Sequence, residues 1–222
     1  MTPADDAAAV APPSQWTLPN LLTVGRIAIT PVVALLPFIP GYWPKLACFV
    51  IFVAAAVTDV IDGRLARGRN QVTDLGKTLD PLADKLLLFA TLGPIWWITR
   101  ERQELYDIPI WGSIPLWVCI MLIGREFAMT MFRAWAQRRG VVIAAGHAGK
   151  TKAALQNVFI GATLFWFAFR DAAISMGWEE STFGRFWHEF HGGFVAATLG
   201  IALTLTIYSF VVYLVEYRRL FR

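Results

Sequence analysis

The sequence predicts an all-α integral membrane protein with six transmembrane helices and a short N-terminal interfacial helix. Three observations support this fold class: 56% of the 222 residues are hydrophobic, only 16% are charged, and the apolar residues gather in six separate runs. Such a composition is typical of membrane proteins. We interpret the abundant aromatic residues, ten tryptophans among them, as interfacial belts and lipid-facing bulk, and we expect no nucleic-acid binding because membrane spans separate the basic patches.

The N-terminal residues 1–13 are rich in alanine and proline and predict a disordered tail, followed by one membrane domain at 14–222. Within 14–23 we expect the interfacial helix, with Trp16 at headgroup level and Pro19 opening the next helix. The predicted transmembrane runs are 27–38, 46–57, 86–98, 108–123, 153–169 and 194–215. Several are shorter than the roughly 20 residues that a span needs, which fits helices whose polar ends line a site.

The charges in the connections predict the orientation of the protein. The connections between the second and third runs and between the fourth and fifth, like the C-terminal tail, carry an excess of lysine and arginine, whereas the alternate connections mix both signs. Because cytoplasmic loops carry that excess, we expect a protein of the cytoplasmic (inner) membrane with both termini in the cytosol. The segment 177–192, with His188 and His191, is then a loop on the outer side.

Four aspartates, Asp59, Asp62, Asp80 and Asp84, lie at the flanks of apolar segments, where an uncompensated carboxylate is costly. In helices, the first two share one face at i and i+3, and the last two stack four residues apart. Carboxylates this close need a compensating cation, and hard oxygen ligands suit Mg²⁺ or Mn²⁺. The sequence therefore predicts a divalent-metal site. Helix capping and pairing with neighbouring basic residues is the alternative, and it suits one aspartate better than four.

Small residues accompany the carboxylates in a fixed pattern. Gly63, Ala66 and Gly76 remove side-chain bulk, which lets a planar base or a phosphate approach the backbone. The whole pattern, Asp59-x2-Asp62-Gly63-x2-Ala66-Arg67-x8-Gly76-x3-Asp80-x3-Asp84, resembles the signature of the CDP-alcohol phosphotransferases. That resemblance implies two metal ions held by the aspartates, with Asp84 also acting as general base. It further implies a homodimer, and a CDP pocket lined by Asp62, Gly63, Ala66, Arg67 and Gly76.

Basic residues beyond the aspartates predict how the second substrate binds. Arg125 and Arg133 share a helix face, and Lys150 and Lys152 begin the next helix. Four cations near a site that already handles a pyrophosphate indicate an acceptor with its own phosphate, since a neutral alcohol would leave them unpaired. Alternatively, Arg125 pairs with Glu126 or with the aspartates, and the other three only follow the distribution of positive charge across the membrane.

Further motifs narrow the resemblance. The segments Pro19-Asn20-Leu-Leu-Thr23-x2-Arg26, Gly124-Arg125-Glu126 and Gly149-Lys150-x-Lys152-x2-Leu155-Gln156 are similar to the phosphatidylglycerolphosphate synthase branch, although Ala153 stands where that branch often has Thr. The similarity implies transfer of a phosphatidyl group from CDP-diacylglycerol to sn-glycerol 3-phosphate, giving phosphatidylglycerol phosphate and CMP. Asn20, Thr23 and Arg26 would complete the nucleotide pocket or, alternatively, anchor the helix at the interface.

Other activities remain open at this stage. A CDP-alcohol phosphotransferase with another acceptor, such as a cardiolipin synthase or a phosphatidylinositol phosphate synthase, would use the same aspartates. A non-catalytic divalent-cation transporter is the remote alternative. It is disfavoured because the acidic residues cluster on one predicted side of the membrane instead of continuing through it.

Overall fold

The computed structural model describes residues 17–68, 73–141 and 147–218, without the side chains of 62–68, 74, 77 and 147–150. These residues form six α-helices and one short 3-10 turn after the first helix. In chain order the α-helices are α1 (Leu18–Leu35), α2 (Tyr42–Gly68), α3 (Asp74–Glu101), α4 (Leu116–Arg138), α5 (His147–Ser175) and α6 (Thr182–Glu216). Within the described residues there is no β-strand, which confirms the all-α prediction.

Five of these helices, α1, α2, α3, α5 and α6, contain a stretch long and apolar enough to cross a membrane. Helix α4 is the exception because its 23 residues include Arg125, Glu126 and Arg133. The predicted interfacial helix is not seen as a separate element, since residues 18–23 belong to the continuous helix α1. The rest of that segment and the predicted tail at 1–13 lie outside the described residues.

Two predicted boundaries are wrong. The fourth run was expected to be helical from residue 108, but Ile108 and Gly112 pair across a tight turn, and α4 begins only after Pro115. Proline removes a backbone donor, and Gly112 takes a positive φ of 63°, so this segment resists helix formation. Helix α6 starts much earlier than predicted, because Ser181 caps it by accepting the Gly184 N–H at 3.0 Å. Most of the predicted outer loop is therefore helical.

The helices pack so that α1 lies against α2 and α3, α5 lies against α2 and α6, and α4 lies against α3 and α6. Their shared core is apolar and includes Val33, Phe52, Leu92, Phe159 and Leu199. We call the end of the bundle with the α2–α3 connection the aspartate end, and the end with the α1–α2, α3–α4 and α5–α6 connections the opposite end. The burial of apolar side chains between the helices fixes the polar residues at both ends.

Candidate active site

The polar face of α1 points into the bundle at the aspartate end. Asn20, Thr23 and Arg26 follow one another at i, i+3 and i+6 and are only 3%, 1% and 4% exposed. Pro19 in the first turn is compatible with a helix start, because the missing N–H has no helical partner there. The structure places these side chains between helices, not on the outer surface where an interfacial anchor would lie.

Two residues of this face, Thr23 and Arg26, contact aspartates. Thr23 Oγ1 donates to Asp80 Oδ1 at 2.7 Å. The Arg26 guanidinium donates through one nitrogen to Asp59 Oδ1 at 2.5 Å and to Asp84 Oδ1 at 3.1 Å. The Arg26 side chain is 2% exposed, whereas those of Asp59 and Asp84 are 44% and 58% exposed. A buried cation therefore holds two carboxylates that are themselves about half exposed.

The start of α3 packs closely against the start of α1. Thr73 caps α3 by accepting the Gly76 N–H at 3.0 Å, and its hydroxyl also accepts from Asn20 Nδ2 at 2.6 Å. A Cβ at position 76 would lie 2.7 Å from Asn20 Oδ1 and 3.2 Å from Thr73 Oγ1. A Cβ here would have to displace the Asn20 side chain, and glycine avoids this. The exposed amides at a helix start favour a negatively charged group.

The remaining members of the predicted pocket lie on α2. Its backbone is helical through Gly68, so Asp62, Gly63 and Ala66 follow Asp59 at i+3, i+4 and i+7 and share its face. Arg67 lies in the last turn of the same helix. The side chains of these four residues lie outside the described part of the chain.

The carboxylate oxygens at the aspartate end suit a hard divalent cation. Asp59, Asp80 and Asp84 supply only oxygen atoms, and among the described residues Arg26 is the cation that pairs with Asp59 and Asp84. Three carboxylates and one guanidinium leave an excess of negative charge, which Mg²⁺ or Mn²⁺ would neutralise. No three described acidic, histidine or cysteine side chains form a closed ligand set. Arg26 stands between Asp59 and Asp84, and the side chain of Asp62 is outside the described set.

A second charged cluster joins α4, α5 and α6. Glu126 Oε1 accepts from Arg125 at 3.0 Å and from Lys152 Nζ, and Arg125 also donates to Ser209 Oγ at 3.1 Å. Arg125 and Lys152 are 8% and 1% exposed. The pairing of Arg125 with Glu126, one of the alternatives from sequence, is therefore present, and it extends to Lys152. Sequence reasoning missed Ser209, because a lone serine in an apolar helix carries no signal.

Of the other two predicted acceptor cations, Arg133 does not join this cluster. Arg133 lies two turns along α4, with its guanidinium 6.0 Å from the centre of the Tyr213 ring, and its Nε is buried without a partner. The side chain of Lys150 lies outside the described residues. The structure thus brings together two of the four cations.

An apolar groove of about 720 Å³ opens between α2 and α5. At one end it is lined by Val60 and Ile61, which follow Asp59 along α2, and further along by Phe52 and Val158. At the other end it reaches His191, which was predicted to lie in a loop. The groove depends on contacts between distant helices, so no local sequence pattern could have revealed it.

Comparisons with known proteins agree with these features. The sequence model of the CDP-alcohol phosphatidyltransferase family matches residues 16–217. A cardiolipin synthase (CMP-forming) from Oryza sativa subsp. japonica is 35% identical over 95% of this chain and 60% of its own length. The CDP-diacylglycerol–glycerol-3-phosphate 3-phosphatidyltransferase 1 of Arabidopsis thaliana is 36% identical over 73% of this chain and 53% of its own length. The chain thus spans little more than half of either plant protein.

A bacterial relative is matched over more of its length. The CDP-diacylglycerol–glycerol-3-phosphate 3-phosphatidyltransferase of Bacillus subtilis is 36% identical over 67% of this chain and 77% of its own length. Relatives whose names give two different activities therefore share about the same identity with this chain.

Proposed function

The chain belongs to the CDP-alcohol phosphatidyltransferase family, and we propose that it transfers a phosphatidyl group from CDP-diacylglycerol to sn-glycerol 3-phosphate, giving phosphatidylglycerol phosphate and CMP. One observation favours an acceptor that carries its own phosphate over a neutral alcohol. Arg125 and Lys152 are buried beside a single carboxylate, Glu126, which leaves one positive charge for an acceptor phosphate.

The donor lipid is proposed to lie across the aspartate end. Its cytidine diphosphate would occupy the pocket formed by Asn20, Thr23, Arg26 and Gly76, completed by Asp62, Gly63, Ala66 and Arg67 on α2. The apolar groove between α2 and α5 begins beside Asp59 and is open along its side, so it offers an acyl chain a path from the bilayer. Lateral entry of the lipid follows from this arrangement.

Asp59, Asp62, Asp80 and Asp84 would hold the divalent cations. When bound, two Mg²⁺ or Mn²⁺ ions would neutralise the pyrophosphate and stabilise CMP as the leaving group. Arg26 supports this role because it fixes the carboxylates of Asp59 and Asp84 from the buried side and leaves their other oxygens open. Its guanidinium also supplies positive charge next to the place where the pyrophosphate would lie.

The reaction needs one proton acceptor, and we assign this role to Asp84. The oxygen of the C1 hydroxyl of sn-glycerol 3-phosphate attacks the β-phosphorus, the bond from that phosphorus to the bridging oxygen breaks, and CMP leaves with the bonding electrons. The hydroxyl proton passes to the Asp84 carboxylate, which is 58% exposed and therefore accessible to the acceptor. The chain contributes mainly positioning and charge stabilisation, as in other phosphoryl transfers.

Arg125, Arg133, Lys150 and Lys152 are proposed to bind the acceptor phosphate. Glu126 orients Arg125 and Lys152, and Ser209 holds Arg125 from α6. Two nitrogens in this part of the bundle, Arg125 Nε and Arg133 Nε, are buried without a partner. A phosphate bound here would give them an acceptor.

Cardiolipin synthesis is the second candidate function. It is favoured by the rice relative, which matches 95% of this chain. Its acceptor would be phosphatidylglycerol, whose phosphate is a diester and carries less charge than that of sn-glycerol 3-phosphate. The same aspartates would serve both reactions, so only the acceptor site separates them.

A comparison of acceptors tests the proposal. Purified protein in detergent with CDP-diacylglycerol and Mg²⁺ is offered equal concentrations of sn-glycerol 3-phosphate, phosphatidylglycerol, inositol phosphate or serine, and the lipid products are identified by mass. We expect phosphatidylglycerol phosphate as the main product. Cardiolipin as the main product would instead assign the chain to the second candidate function.

In the membrane, we propose that α4 is the sixth span, with its charges facing the acceptor site and not the lipid. The basic residues of the α2–α3 and α4–α5 connections would place the aspartate end and both termini in the cytosol, at the cytoplasmic (inner) membrane. A homodimer is proposed by analogy with the family.

A further inference from the structure

Gln156 is a buried amide that the proposed reaction has so far left without a role. It lies on α5 one turn after Lys152, on the same helix face, and is 5% exposed. Its Oε1 is buried and has no hydrogen-bond partner. The next residue, Asn157, instead lines the apolar groove on another side of the helix.

A purely structural role does not account for this side chain. A buried carbonyl oxygen that has no donor is more costly than an apolar group of similar size. The neighbouring buried positions on α5, Phe159, Ile160 and Thr163, are filled by apolar side chains or by a hydroxyl that bonds to its own helix. An amide retained in this environment indicates a partner that binds there.

The chemistry around Gln156 identifies the kind of partner. The charged cluster one turn away offers cations, and its carboxylate, Glu126, is already engaged by Arg125 and Lys152. Among the described residues, Gln156 Oε1 is the buried side-chain carbonyl oxygen that has no donor. A hydroxyl both donates and accepts, so it pairs with an amide in either orientation. The partner is thus a hydroxyl on a molecule whose phosphate binds at Arg125 and Lys152.

We propose that Gln156 binds the C2 hydroxyl of the acceptor and makes the enzyme select a phosphorylated polyol over a simple hydroxyalkyl phosphate. The inference rests on the proposed function, because it takes sn-glycerol 3-phosphate as the acceptor. Gln156 is then a specificity-determining residue. The phosphate is held by the cations, and the C1 hydroxyl is left to react.

The test compares two acceptors in two proteins. 3-Hydroxypropyl phosphate keeps the phosphate and the reacting hydroxyl of sn-glycerol 3-phosphate but lacks the C2 hydroxyl. The wild-type protein should prefer sn-glycerol 3-phosphate by about tenfold or more in kcat/KM, because the analogue leaves the buried amide unpaired. Gln156→Leu should reduce that preference to about twofold or less, mainly by slowing the natural acceptor. Gln137→Leu, the same change at an exposed position of α4, should keep the full preference.

The outcomes separate this inference from the proposed function. If the wild-type protein uses both acceptors equally well, Gln156 does not bind the C2 hydroxyl, and this result does not depend on how any variant folds. An unchanged preference in Gln156→Leu would overturn the inference in the same way and leave the proposed function intact. If the wild-type protein uses neither phosphate but does use phosphatidylglycerol, the proposed function fails and the inference fails with it.

Discussion

Two charged clusters lie at the two ends of the bundle, and they are built differently. At the opposite end, Lys45 Nζ donates to Asp171 Oδ2 at 2.7 Å and to the Tyr106 hydroxyl at 3.2 Å, and that hydroxyl donates to Asp171 Oδ1 at 3.2 Å. The Gly41 N–H also bonds to Asp171 at 2.9 Å. Burial and the Asp171 carboxylate raise the pKa of Tyr106, so its hydroxyl remains a donor.

The aspartate end has the reverse distribution of burial and charge. Its cation, Arg26, is buried, whereas Asp59 and Asp84 are about half exposed, and carboxylates outnumber the cation. At the opposite end the Asp171 side chain is only 12% exposed, and one lysine balances one carboxylate. A balanced, enclosed network ties three segments of chain together. The network at the aspartate end is unbalanced and open, so it can still bind a ligand. We therefore assign a catalytic role to the aspartate end and a structural role to the opposite end.

The largest expected effect is a loss of activity after a substitution at the aspartate end. Asp84→Asn removes the proposed proton acceptor and a metal ligand, and we expect CMP release to fall by roughly a thousandfold, since a general base contributes about 10²–10⁴. Thermal unfolding in detergent should be close to that of the wild-type protein, and much of the affinity for CDP-diacylglycerol should remain. Asp107→Asn, an exposed position at the opposite end, is the control. Substantial activity in Asp84→Asn would refute the base assignment.

The second prediction is a loss of stability at the opposite end without a loss of activity. Asp171→Asn leaves Lys45 buried without its counter-ion, and breaking a buried pair costs about 3–5 kcal/mol of folding free energy. The apparent Tm in detergent should fall clearly, while activity per folded molecule at low temperature stays within about twofold of wild type. A normal Tm with lost activity would show that the opposite end takes part in the reaction.

The third prediction tests whether the Arg125–Glu126–Lys152 cluster has a functional role, like the aspartate end, or a structural role, like the opposite end. Lys152→Met removes a charged contact to the acceptor phosphate, so we expect the KM for sn-glycerol 3-phosphate to rise about 10- to 100-fold. The KM for CDP-diacylglycerol should change little. Arg138→Met, at the exposed end of α4, should alter neither. A loss of Tm with an unchanged acceptor KM would place the cluster with the structural network.

The smallest expected effect concerns the contact between α1 and α3. Gly76→Ala puts a methyl group 2.7 Å from Asn20 Oδ1, and overpacking of this kind costs about 1–3 kcal/mol. Both Tm and affinity for CDP-diacylglycerol should fall. Gly93→Ala lies on the same helix with no atom near the added methyl, so it should stabilise the helix slightly. Equal effects of the two substitutions would contradict the close approach at Gly76.

The sequence predicted the helices better than their ends. The apolar runs identify all six helices, because apolar residues must face lipid or the core. The start of α6 was missed because the segment around Trp178, Trp187 and His188 is not a continuous apolar run, although Ser181 caps a helix there. The start of α4 was misplaced because an apolar run does not distinguish a helix from the tight turn at Ile108 and Gly112.

For the site, the spacing of residues along the chain predicted which side chains share a helix face, but not which helix faces pack against each other. Asp59 and Asp62 on one helix and Asp80 and Asp84 on the next were expected to point into one space. In the structure Arg26 holds Asp59 and Asp84, and Thr23, one turn away on the same helix, holds Asp80. That α1 would supply the central cation depends on the packing of α1 against α3, which no local pattern encodes. Likewise, the sequence could not predict that Glu126 pairs with two cations, because this pairing depends on the relative positions of α4 and α5.

The measurement that tests the central claim most directly is CMP release from CDP-diacylglycerol by wild type, Asp84→Asn and Asp171→Asn at equal folded concentration. It is made in Mg²⁺ with and without sn-glycerol 3-phosphate, and again after EDTA. We expect wild type and Asp171→Asn to release CMP only with the acceptor and only before EDTA, and Asp84→Asn to release almost none. Release that persists in EDTA, or that is lost in Asp171→Asn but kept in Asp84→Asn, would contradict the division between a catalytic and a structural end.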